Sequence, residues 1–103
     1  MDWSDLQVFL EACRSGSATR AAGALDVSVS TVTRRLAELE RVVGKPLFER
    51  LPTGLVLTPV GELLRAHAER AERAILEGAS AVASVGLEVE GEVVVAVPND
   101  MLL

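Results

Sequence analysis

Leu64, Ala68, Ala71, Ile75, Gly78, Val82 and Val85 recur at alternating steps of four and three, the heptad period that lines apolar side chains along one stripe of an α-helix. Thr58 and Pro59 supply a start for that helix, since a threonine oxygen can accept an amide bond and proline tolerates the first helical position. From Pro59 to Val85 the helix would be about 40 Å long at about 1.5 Å per residue, more than a small domain can cover. The stripe therefore needs a partner. A second copy of the same helix is the predicted one, with Leu64, Ala68, Ala71, Ile75, Gly78 and Val82 as the seam of a homodimer.

The residues before this helix read as three shorter helices. Ser4 followed by Gln7 matches a capping box, and Leu6, Phe9, Leu10 and Cys13 recur at helical spacing until Gly16 stops the run. Ser17 can cap a second helix carrying Ala18, Ala21, Ala22 and Leu25, which Gly23 weakens by roughly 1 kcal/mol relative to alanine. Asp26 and Val27 make a turn. Ser28 then caps a third helix with the apolar stripe Val32, Leu36, Leu39 and Val43, closed by Gly44.

Two helices joined by a short turn, the second better formed, is the helix-turn-helix pattern. After Pro46 the period changes to two short strands, Leu47 to Leu51 and Leu55 to Thr58, turning at Pro52, Thr53 and Gly54. The predicted fold is mainly α: a winged helix-turn-helix of three helices and a two-stranded wing over 1–58, then a long dimerisation helix over 59–87. The remainder, 88–103, holds the run Val93, Val94, Val95, Ala96 and Val97, which reads as a strand buried on both faces. With nothing downstream to bury it, 88–103 is expected to be the start of a truncated further domain or a disordered tail.

Composition excludes several classes of function. The chain has 103 residues, and Cys13 is its only cysteine, so no intramolecular disulfide framework or multi-cysteine metal site is available, as expected of a cytoplasmic protein. No apolar run approaches the roughly 20 residues of a membrane span, so no membrane partner is expected. Cys13 and His67 are single residues on separate helices without an acidic third member, and no phosphate-binding glycine loop is present. Cys13 reads as a buried core thiol and His67 as a partly exposed helix residue. The chain is not expected to be an enzyme or to need a cofactor.

The formal net charge is −5, yet its distribution is uneven. Residues 14–60 hold seven basic side chains against four acids, while 77–103 hold five acids and no base. A weakly basic region beside an acidic tail is compatible with a polyanionic partner.

The stretch VSVSTVTRRLAELERVVGKPLFER followed by LVLTPVG, together with GSATRAA, the Leu39-Glu40 pair, Gly44, Leu47-Phe48-Glu49-Arg50 and Thr58-Pro59-Val60-Gly61, resembles the amino-terminal signature of LysR-type transcriptional regulators over residues 1 to about 90. The resemblance implies a winged helix-turn-helix that binds an interrupted palindrome of double-stranded DNA as a homodimer, or as a dimer of dimers in the full-length protein. It also implies a carboxy-terminal domain, missing here, that senses a small-molecule effector; Gly91 to Val97 resembles its first strand. Two positions depart from the family pattern: Val29 stands where glutamine is usual, and Ala18 where an aromatic residue is usual.

Read as a major-groove helix, the third helix presents Ser28, Val29, Ser30, Thr31, Thr33 and Arg34 from its amino-terminal part to DNA. Hydroxyls can donate or accept, Arg34 can bond guanine bidentately or hold a phosphate, and Val29 can only touch a thymine methyl. The same residues also suit a solvated polar face. Ser17 and Thr19 fit either a phosphate contact at the start of the second helix or simple capping. Arg50, leading into the wing, fits either a grip on the DNA backbone or a solvated side chain. The competing reading of the whole chain is a protein-interaction module that dimerises without touching DNA.

Overall fold

A computed structural model describes residues 1–88, and the strand expected between Glu88 and Pro98 lies outside the described residues except at its first position. The elements in order are α1 (Trp3–Ser15), α2 (Ala18–Leu25), α3 (Val29–Val43), β1 (Phe48–Leu51), β2 (Gly54–Leu57) and α4 (Pro59–Glu88). Met1–Glu69 form one compact unit, and α4 continues from Arg70 into a second. Among the described residues, no helix is long and apolar enough to cross a membrane.

Helix α1 starts two residues earlier than the Ser4-Gln7 pattern suggests. Asp2 is the cap: the Asp5 N–H donates to Asp2 Oδ1 at 3.1 Å, and the Asp2 N–H donates to Asp5 Oδ2 at 3.2 Å. Two carboxylates thus satisfy reciprocal amides at the positive end of the helix dipole, where a negative charge is favoured over a hydroxyl. Ser4 falls inside the first turn and is exposed.

The other helix boundaries follow the predicted caps. Ser17 Oγ accepts from the Arg20 N–H at 3.2 Å and Ser28 Oγ from the Thr31 N–H at 3.1 Å. Asp26 makes the turn between α2 and α3 in the left-handed conformation, φ 59°, which short polar side chains tolerate better than most. Its N–H still bonds back to α2.

Val8, Phe9, Leu10 and Ala12 of α1, Ala21 and Ala22 of α2, and Val32, Leu36 and Leu39 of α3 are buried in a single core. Leu47 and Phe48 close it from the wing side, and the Phe9 and Phe48 rings lie 5.5 Å apart and tilted by 54°, an edge-biased arrangement worth about 0.5–1.5 kcal/mol beyond its area. Cys13 is half-buried rather than enclosed, while Phe9, Leu10 and Ala12 of the same helix are fully enclosed.

The wing's first strand begins one residue later than the expected Leu47, and its second is shifted one residue back, from the expected Leu55–Thr58 to Gly54–Leu57. Antiparallel pairing runs from Phe48 opposite Leu57 to Leu51 opposite Gly54. At Leu47 regular pairing ends: its N–H turns to the side chain of Glu40 at 2.8 Å, while its carbonyl still accepts the Thr58 N–H at 3.0 Å. Gly54 joins β2 with φ +137°, and a Cβ there would collide with the Gly16 carbonyl oxygen, so only glycine fits the point where the wing meets the turn after α1. The same carbonyl accepts the Leu55 N–H at 2.9 Å.

Helix α4 begins on Thr58, whose Oγ1 accepts the Gly61 N–H at 3.0 Å and donates to the Pro46 carbonyl at 2.8 Å. Its first turns belong to the winged unit. Ala68 is 2% exposed within the core cluster and Leu64 packs partly buried against it, because the opening of α4 supplies one wall of that core.

Candidate nucleic-acid interface

Helix α3 buries Val32, Leu36 and Leu39 and exposes the opposite side. At about 100° per residue, Ser30 and Arg34 fall one turn apart on the face pointing away from the core, and Val29 and Thr33 fall one turn apart on its flank. Ser30, Thr33 and Arg34 are exposed, and Val29 is 43% exposed. Val42, near the other end of α3, is 46% exposed as well; Val29 differs in lying beside Ser30, Thr33 and Arg34, where its methyls border their polar groups.

At the start of the helix three hydroxyls form one cluster. Ser28 Oγ lies 3.2 Å from Ser30 Oγ and 2.9 Å from Thr31 Oγ1 while accepting the Thr31 amide. Ser28 is therefore occupied by capping, and Thr31 is half-buried. The two mutual contacts use two of the three O–H groups, so one O–H remains to donate to an incoming acceptor.

Charge on α3 is sorted by partner. Arg35 donates from Nη1 to Asp5 Oδ1 at 3.1 Å, tying α3 to α1. Arg41 is held by Glu38 one turn back, a hydrogen bond that raises the arginine pKa and lowers that of the glutamate. Arg34 has no carboxylate partner among the described residues, which leaves its guanidinium fork available for a planar acceptor.

The remaining candidates come from α2 and the wing. Ser17 is half-buried and engaged as the α2 cap, and Thr19 is exposed. Arg50 is exposed on β1 opposite Leu55. Through the Leu55 bond to Gly16, the wing residue paired with Arg50 is anchored one residue before Ser17. The wing and the start of α2 are thus brought together.

Two residues gain roles that sequence reading missed. Arg20 donates from Nε and Nη2 to the Ser15 carbonyl at 3.2 and 2.9 Å, fixing a cation beside Ser17; its position three after the cap was the available signal. Glu40, noted in the sequence only as part of a family pattern, accepts both the Leu47 N–H at 2.8 Å and the Phe48 N–H at 3.2 Å on one oxygen.

Of the residues assigned to the dimer seam, Leu64 and Ala68 are covered by their own unit, whereas Ala71, Ile75, Gly78 and Val82 are exposed. Ile75 is 48% and Val82 72% exposed. Leu76, adjacent to the stripe and 61% exposed, widens the open apolar surface.

A family model described as "Bacterial regulatory helix-turn-helix protein, lysR family" matches residues 3–62. The HTH-type transcriptional regulator YofA of Bacillus velezensis is 41% identical over 70 residues, covering 68% of this chain and 24% of that protein. The iron-regulated virulence regulatory protein IrgB of Vibrio cholerae is 34% identical over 99 residues, covering 95% of this chain and 33% of its own length. The chain thus spans a third or less of these relatives. Among solved structures, the CbnR_DBD–DNA complex superposes with a TM-score of 0.72 at 32% identity, over 82% of this chain and 98% of that one. The BenM_DBD/benA site 1 DNA complex shares the fold at a TM-score of 0.78 and 23% identity, over 84% of this chain and 97% of that one.

Proposed function

The chain belongs to the LysR family of bacterial regulatory helix-turn-helix proteins, and from that premise we propose that it binds double-stranded DNA sequence-specifically as a homodimer, with the start of α3 in the major groove. One observation carries the reading: α3 buries Val32, Leu36 and Leu39 and leaves Val29, Ser30, Thr33 and Arg34, which has no carboxylate partner among the described residues, on the open side. The similar chain of the CbnR_DBD structure is in complex with DNA.

In this reading Arg34, Ser30, Thr33 and Val29 face base edges, and Ser17, Thr19, Ser28, Thr31 and Arg50 hold phosphates on either side. Ala71, Ile75, Gly78 and Val82 form the dimer seam, extended by the partly exposed Leu64, while Ala68, 2% exposed, faces its own core and drops out of the seam. The winged domain extends over 1–58 and the linker helix over 59–87. The protein acts in the cytoplasm as part of a transcriptional regulator and carries out no turnover. Small-molecule sensing, which the family resemblance implies, is assigned to a part of the regulator other than residues 1–88.

Titration with duplex DNA between about 50 and 200 mM salt tests the reading, because each neutralised phosphate adds about 0.9 to the slope of log affinity against log salt. The expected outcome is a steep slope, with selection from random duplexes returning two related half-sites. Affinity that ignores salt, or that does not require a duplex, favours the protein-interaction module instead.

A further inference from the structure

We propose that Glu40 is a positioning residue for DNA recognition: its carboxylate fixes the wing, and with it Arg50, in place beside the exposed face of α3. The proposal rests on the DNA-binding reading above. One Glu40 oxygen accepts the Leu47 and Phe48 amides at 2.8 and 3.2 Å. Phe48 is the first residue of β1 and Arg50 is the third. The loop that delivers this strand is gripped from its other side by Thr58, which donates its N–H to the Leu47 carbonyl at 3.0 Å and its hydroxyl to the Pro46 carbonyl at 2.8 Å.

The two grips are not equivalent. Thr58 ties the loop to the start of α4, while Glu40 ties it to the helix that carries Arg34. One side-chain oxygen that accepts two successive amides aims the strand at its root, and reach rather than charge sets that grip. Arg50 lies roughly 7 Å along the strand from Phe48 at about 3.3 Å per residue, so a small tilt at the root displaces its guanidinium by a large part of a hydrogen-bond length. Arg34 shares a rigid helix with Glu40 and does not depend on the wing for its placement.

A double-mutant cycle on duplex affinity separates positioning from mere structural support. Arg50→Ala is expected to weaken binding about 5- to 10-fold in the wild type but less than about 2-fold in Glu40→Ala, while Arg34→Ala costs the same factor in both backgrounds. Glu40→Gln, whose amide oxygen can accept the same two N–H groups, restores the effect of Arg50→Ala. Glu40→Asp, shorter by one methylene, does not, and this pair decides the matter if Glu40→Ala fails to fold. Additive losses, or no loss on Arg50→Ala in the wild type, overturn the proposal. Amide exchange in the unbound proteins reads the grip without DNA. Leu47 and Phe48 should exchange faster in Glu40→Asp than in the wild type and Glu40→Gln, and equal rates overturn the proposal. Faster exchange in Glu40→Asp, together with no duplex binding by the wild type, locates the failure in the DNA-binding reading.

Discussion

Arg34 and Arg35 are chemically identical neighbours on α3, and the helical step of about 100° sends them to different tasks. Arg35 reaches Asp5 on α1 at 3.1 Å, with 36% and 15% of the two side chains exposed, and Arg34 is left to a partner. Arg34→Ala should therefore weaken specific DNA binding by about 1–3 kcal/mol without loss of folding. Thermal melting beside a binding titration checks this, and unchanged affinity in a folded variant removes Arg34 from the interface. Val29 differs in kind, since its methyls can pack on thymine but cannot bond adenine. Val29→Gln should alter the preferred base at one position per half-site while the salt slope holds, and an identical consensus for both proteins would place Val29 away from the bases. Cys13 offers a pH-dependent readout. Burial raises its pKa from 9.0 to about 12, so the folded state favours the neutral thiol. Its contribution to stability is intact below 9.0 and declines as pH rises toward 12, because the unfolded thiol ionises first. Cys13→Ala should flatten that alkaline decline in melting temperature, and an unchanged decline would assign it to other groups.

Within elements, two glycines with the same sequence signal make opposite demands. Gly23 lies inside α2 with nothing within 4 Å of an added Cβ, whereas a Cβ on Gly61 in α4 would collide with the Leu47 carbonyl oxygen. Gly23→Ala should stabilise the fold by about 0.5–1 kcal/mol through helix propensity, and Gly61→Ala should destabilise it by about 1–3 kcal/mol through overpacking. Chemical denaturation of the two variants checks both signs; equal shifts would mean that α4 does not pack against the wing root. The difference marks how far local patterns reach. Ser17, Ser28, Gly16, Gly44 and the Thr58-Pro59 start were legible because caps and stops act within one turn of chain. The α1 cap was misplaced because Asp2-Asp5 and Ser4-Gln7 both satisfy a three-residue spacing, and the choice between them depends on charge at the helix end. The role of Glu40 is not legible in the sequence, since its amide partners lie seven and eight residues away where the loop enters β1. Likewise, the heptad pattern marks Leu64 and Ala68 as stripe positions but does not say which surface covers them.

At the scale of the whole molecule, α4 changes surroundings along its length: Ala68 is buried in the winged unit, while Ile75, Val82 and Val85 are 48%, 72% and 38% exposed. An exposed apolar stripe on a long helix is the kind of surface that marks an interaction site, which supports the proposed dimer. In the proposed dimer Ala71 and Gly78 would permit close backbone approach but bury little area, so Ile75 and Val82 are expected to supply most of the association energy at about 25 cal/mol per Å². Ile75→Glu introduces two like charges at an apolar seam and should weaken the dimer far more than it unfolds the core around Phe9 and Leu36, which it does not touch. Affinity for a single half-site should persist. Affinity for the full palindrome should fall, because the second recognition helix, held roughly 34 Å away in the next turn of the groove, loses its tether. Analytical ultracentrifugation of the two proteins, paired with binding to half-site and full-site duplexes, measures both consequences. A monomeric wild type, or an Ile75→Glu dimer as tight as the wild type, would show that the exposed stripe of α4 is not what joins two copies.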